Sequence, residues 1–138
     1  HIKHLKLRIV IAFCNCQIII YIKKGGILNE LKRKIKFKEH TCGTIINMTD
    51  ICVSDIFSRI GYDFLWIDFE HSYLSYEDIL AHTTIAKANG TPVIVRVPQY
   101  DFTATKKVLE MGVDELSVSP GRILPIRKII RDTDVSEL

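Results

Sequence analysis

No stretch of this 138-residue chain is apolar for long enough to span a bilayer. Its most apolar segment, residues 9–22, is interrupted by Asn15 and Gln17 and falls short of the roughly 20 residues a transmembrane helix needs. Basic residues flank that segment, as they flank a signal-peptide core. No small-x-small cleavage site follows it, because the text runs on as Tyr21-Ile22-Lys23-Lys24-Gly25-Gly26. Cys-x-x-Cys pairs are also missing. The cysteines are Cys14, Cys16, Cys42 and Cys52, and Cys14-Asn15-Cys16 is a poor zinc spacing, so reduced thiols in a cytoplasmic protein are expected. A strong charge of one sign is absent too: 19 basic residues face 16 acidic ones, for a net charge of +3. Much of the basic excess falls within the first 38 residues, with no aromatic residues regularly interleaved. That pattern reads as a solvated surface, and neither a nucleic acid nor a membrane is expected as a partner.

What is present is an α/β rhythm in a chain of one-domain length. Hydrophobic residues make up 47% and charged residues 25%, enough for a real core in a globular domain. Leu28, Leu31 and Ile35 share a helix face over 28–36. Gly43-Thr44-Ile45-Ile46 reads as a strand, and Thr49 or Asp50 then caps a helix over 51–60 that stops at Gly61. Phe64–Asp68 is the next strand. Ser75 with Asp78 forms a capping-box-like start for a helix that reaches about Asn89-Gly90. Residues 92–97 form a third strand. Asp101 or Thr103 caps a helix through about Met111, and 113–118 would be the fourth strand. Short loops and nearly all-apolar strands predict parallel strands with crossover helices. Each unit takes roughly 25 residues, near the repeat of a (β/α)₈ barrel. The fold expected is α/β, with parallel (β/α) units of a TIM barrel, incomplete at about four strands. Residues 1–26 stand as an extension of unknown role, 27–120 as the partial barrel and 121–138 as an atypical tail.

The chemistry concentrates in Asp63-Phe64-Leu65-Trp66-Ile67-Asp68-Phe69-Glu70-His71. A buried strand that ends in Asp-x-Glu-His delivers two carboxylates and an imidazole to the strand C-terminus, where parallel α/β folds place their sites. A carboxylate beside an imidazole fixes its tautomer and raises its basicity, as a general base needs. The bland alternative is that Asp68 and Glu70 cap the following loop while His71 is exposed. Arg96 interrupts Val93-Ile94-Val95-Arg96-Val97-Pro98, and a charge there needs a partner. Its planar fork suits a carboxylate or enolate oxygen, and an internal salt bridge to Asp68 or Glu70 is the alternative. Gly43, Thr44 and Asn47 are weaker rim candidates. His82 is read as exposed or as a partial core filler without function, Trp66 as core, and Tyr73 and Tyr76 as loop packing.

Three segments in order resemble the HpcH/HpaI aldolase family of metal-dependent pyruvate aldolases: 61–71, then 92–98, then Lys107-Val108-Leu109-Glu110-Met111-Gly112-Val113-Asp114. The match runs from about Leu28 to Asp114. The resemblance implies a TIM barrel, a homo-oligomer, a keto-acid substrate and aldol cleavage of 2-keto-3-deoxy sugar acids or 4-hydroxy-2-oxo acids to pyruvate and an aldehyde. It also implies a divalent metal (magnesium, manganese or cobalt) acting as a Lewis acid. By position His71 would be the base, oriented by Asp68. Arg96 would hold the keto or enolate oxygen, and Glu70 would sit near the metal's water shell. Glu110 would serve the site of a neighbouring subunit. The family's metal ligands are a Glu and an Asp on later strands, and no residue of 1–138 is assigned to them. Ile45 stands where many members carry an aromatic residue. Two alternatives follow: a truncated, catalytically inactive half-barrel remnant, or a small module that binds an anionic ligand through Arg96.

Overall fold

The computed structural model describes residues 9–14, 17–21, 27–98, 101–113 and 115–132. Cys16, Gly25-Gly26 and Asp114 fall outside them. Two strands open the chain, β1 (Ile9–Cys14) and β2 (Gln17–Tyr21). Helix α1 (Ile27–Lys36) follows, and then four strand–helix units: β3 (Gly43–Ile46) with α2 (Cys52–Arg59), β4 (Phe64–Asp68) with α3 (Tyr76–Ala88), β5 (Val93–Arg96) with α4 (Phe102–Glu110), and β6 (Glu115–Val118) with α5 (Ile123–Asp132). β3, β4, β5 and β6 lie side by side in chain order, all parallel. This is an α/β fold built as successive units of a barrel wall.

The sheet forms because its strands are apolar and covered: β4 buries alternate residues, whereas β5 and β6 are buried along nearly their whole length. Ile46, Leu65, Ile67, Val93, Val95 and Leu116 are fully buried in the core shared with Ile79, Val108 and Leu109 of the helices. Burial of such side chains stabilises by about 1.5–3 kcal/mol each. Helix α3 starts where the sequence places it. Ser75 accepts from the Asp78 N–H while Asp78 accepts from the Ser75 N–H, closing a reciprocal capping box. Asp101 caps α4 through the Ala104 N–H. Helix α2 begins one residue later than expected. Ile51 occupies the cap position without a side-chain bond, and Asp50 instead accepts the Cys52 N–H at 2.9 Å.

Two features extend the fold beyond what its sequence shows. β1 and β2 form an antiparallel pair, and β2 runs antiparallel to β6 in the register Ile18 to Val118 through Tyr21 to Glu115. The α/β rhythm also continues beyond the expected fourth strand: α5 buries Ile126 and Ile130 in the main core and packs beside α4. Among the described residues no helix is long and apolar enough to cross a membrane.

Candidate functional site

Register brings the polar residues together. Asp68, the last residue of β4, is the parallel partner of Arg96, the last residue of β5. Ser117 of β6 is in turn the partner of Arg96 and is fully buried. Directly paired residues of parallel strands share a face, so one row across the strand ends reads Asp68, Arg96, Ser117. Two residues further down the same face lie Ile45, Trp66, Ile94 and the fully buried Glu115.

Arg96 is the hub of this row. Its Nη1 donates to Asp68 Oδ2 at 3.1 Å and to His71 Nδ1 at 2.9 Å. The guanidinium also lies over the Trp66 ring, 5.4 Å from its centroid. Asp68 uses its other oxygen on the loop, where Oδ1 accepts the His71 backbone N–H at 3.1 Å. Ser72 Oγ donates to the Asp68 carbonyl, so the turn after β4 folds back onto the strand end that it leaves. Glu70 Oε2 stands 3.7 Å from His71 Nδ1. Phe69 packs edge-on against Tyr76 of α3 at 5.1 Å, and the Lys107 ammonium lies 4.5 Å from the Tyr76 ring. Burial raises the Tyr76 pKa, with the Asp101 carboxylate adding to the shift.

These contacts set what His71 can do. A guanidinium only donates, so Nδ1 accepts and the neutral ring carries its proton on Nε2. Asp68 Oδ1, at 3.5 Å from Nδ1, does not orient the ring directly. It fixes the His71 backbone, and Arg96 fixes the imidazole. Asp68 and Arg96 are only 14% and 20% exposed, while His71 is 62% exposed and faces solvent. The arrangement offers an anion a largely buried guanidinium beside an exposed imidazole.

Of the residues singled out in the sequence, the structure gathers Asp68, Glu70, His71 and Arg96 at the adjacent ends of β4 and β5. Glu110 is not among them. It lies at the end of α4, half exposed, with Lys106 Nζ at 3.9 Å. Gly43 does make a close approach, but to the Phe64 ring. Tyr73 is fully exposed. His82, expected as exposed or as a partial core filler, is not exposed: it is fully buried and hydrogen-bonds to Ser54 Oγ and the Met48 carbonyl. Ser117 was not anticipated either. Its signal was its place one strand over from Arg96, which only the register reveals.

The cluster does not fit a divalent ion. Both oxygens of Asp68 already accept N–H groups, and a guanidinium occupies the centre of the would-be donor set. Among the described residues no group of three or more His, Cys, Asp or Glu side chains is placed to hold a metal.

No protein-family model matches the chain. Its sequence is 26% identical over 91 residues to a hydroxypyruvate/pyruvate aldolase of Roseobacter denitrificans, covering 66% of this chain and 36% of the relative. It is 29% identical over 90 residues to a hydroxypyruvate/pyruvate aldolase of Paraburkholderia phytofirmans, covering 64% and 35%. The crystal structure of an HpcH/HpaI aldolase from Desulfitobacterium hafniense superposes with a TM-score of 0.53 at 28% identity, over 60% of this chain and 32% of the other. The resemblance is to the HpcH/HpaI aldolases. It covers about 60% of the chain and only part of their barrel. The chain spans about a third of the length of the HpcH/HpaI-type relatives that it matches.

Proposed function

We propose that Asp68, His71 and Arg96 form the anion-holding and proton-transfer part of a pyruvate-aldolase site. The observation that carries the reading is the hydrogen-bonded chain Asp68–Arg96–His71 across two adjacent strand ends. The substrate class is a 4-hydroxy-2-oxo acid or a 2-keto-3-deoxy sugar acid. Arg96 holds the carboxylate or keto oxygen of the substrate with charge-assisted hydrogen bonds. As it turns toward the ligand it releases His71 Nδ1, which becomes free to accept a proton. The base removes the proton of the C4 hydroxyl and the C3–C4 bond breaks. Its electron pair moves to the C2 oxygen as an enolate, and the aldehyde departs. Protonation at C3 gives pyruvate. Asp68 balances the guanidinium and anchors the loop that carries His71.

The divalent metal that the resemblance implies would have to be held by carboxylates on strands other than those described here, and no step is routed through it. Glu110 would act only across a subunit boundary in a homo-oligomer. A 4-hydroxy-2-oxo acid incubated with the full chain and manganese or cobalt should release pyruvate. Release should stop with a chelator and fall sharply in His71→Ala. Absence of turnover under all these conditions would remove the catalytic reading. One observation favours a second reading: α5 follows β6 and joins the main core, so the four units share one hydrophobic core. In that reading Arg96 binds an anionic keto acid without turnover, and saturable binding with no pyruvate release would identify it.

A further inference from the structure

We infer that His82 is a positioning residue, which sets the height of the β3–α2 turn beside Asp68. His82 lies on α3, fully buried, far in sequence from both of its partners. Its Nε2 is 2.9 Å from the Met48 carbonyl and its Nδ1 is 2.8 Å from Ser54 Oγ. A carbonyl only accepts, so the neutral ring carries its proton on Nε2, and Nδ1 accepts a hydrogen bond from the Ser54 hydroxyl. One ring therefore ties α3 both to α2, through the fully buried Ser54, and to the turn, through Met48.

The position of that turn gives the tie its consequence. β3 ends at Ile46, the partner of Ile67, so the next residue, Asn47, comes level with Asp68. Asn47, Met48, Thr49 and Asp50 are all exposed, and the turn has no apolar anchor of its own. Asp50 closes its far side by accepting the Cys52 and Val53 N–H groups. The near side is held from below by His82. A buried hydrogen bond whose loss would strand a polar partner holds such a turn more firmly than surface contacts do. The tie thus places a rim of backbone next to Asp68 without itself touching a ligand.

The inference uses the proposed keto-acid site only in its binding arm, and its structural arm stands alone. In the full chain, ¹⁵N spectra of the His82 ring should show Nε2 protonated and Nδ1 unprotonated. The opposite tautomer would overturn the inference without any variant. His82→Ala should speed amide exchange at Cys52 and Val53 by about tenfold, the worth of roughly one buried hydrogen bond. Ile79→Val, which trims a fully buried residue of the same helix, should change that exchange much less. His82→Gln, which keeps a donor for Met48, should return it toward wild type. Should His82→Ala not fold, Ser54→Ala carries the same comparison. Equal exchange in the His82 or Ser54 variant and in Ile79→Val would overturn the inference. In the binding arm, pyruvate should bind His82→Ala several-fold more weakly than wild type or Ile79→Val. Equal affinity would overturn the positioning role. If wild type binds no pyruvate, the proposed function fails, and the exchange comparison alone decides for or against the tie.

Discussion

Asp68 and Arg96 end adjacent parallel strands as register partners, and Arg96 Nη1 lies 3.1 Å from Asp68 Oδ2. The charge that interrupts an apolar strand is therefore balanced by the one next to it. The expected internal salt bridge exists, and the same guanidinium also reaches His71. The structural and functional explanations of Arg96 describe one arrangement.

Removing the guanidinium has a cost in stability as well as in binding. Arg96→Ala leaves the largely buried Asp68 carboxylate short of a donor and should destabilise the fold by about 1–3 kcal/mol. Arg96→Lys keeps the charge but loses the fork that serves Asp68 and His71 together, so it should recover stability better than keto-acid binding. Urea denaturation beside a pyruvate titration separates the two effects.

At the other end of the sheet, Lys34 Nζ pairs with Asp63 Oδ1 at 2.5 Å while Asp63 Oδ2 accepts the Cys42 N–H. The Lys34 hydrogen bond lowers the Asp63 pKa, with the Cys42 N–H adding to the shift. A carboxylate with a depressed folded pKa contributes stability above its unfolded pKa and loses it as pH falls through the folded one. The contribution should persist at neutral pH and disappear below the usual carboxylate range. Asp63→Asn should flatten that acid limb in urea midpoints taken between neutral pH and about pH 3.

Two glycines should resist substitution for different reasons. A Cβ at Gly43 would run into the Phe64 ring on the neighbouring strand, so Gly43→Ala should cost about 1–3 kcal/mol by overpacking. Gly61 has open space around it but holds φ at +100°, so Gly61→Ala should cost about 1–3 kcal/mol through backbone strain alone. Gly43→Ala should recover when Phe64 is trimmed to Leu. Gly61→Ala should not.

Ser75→Ala removes half of the capping box on α3 and should lower stability by about 1 kcal/mol, read as a shift in the thermal midpoint.

The sequence was most legible where local chemistry suffices. Ser75 with Asp78, Asp101 and the glycines after α3 and α4 mark helix ends within a turn of themselves. The apolar runs of β4 and β5 declare buried strands. The Asp68–Arg96–His71 cluster was legible because all three residues sit at or just past strand ends. The partners of His82 were not, since Ser54 and Met48 lie 28 and 34 residues away. The pairing of β2 with β6 spans nearly the whole chain, and isoleucine-rich text does not name its partner. In α5 the spacing of Ile126 and Ile130 was there to be read. Pro125 stands in the first turn of that helix, where a proline leaves no intrahelical bond unmade.

The central claim is that the strand-end cluster holds a keto acid. Titrating the full chain with pyruvate while following its amide resonances tests this most directly. The account predicts saturable shifts at Asp68, His71 and Arg96 that vanish in Arg96→Ala. No saturable shift at these residues, or the same shifts in the Arg96→Ala variant, would contradict it.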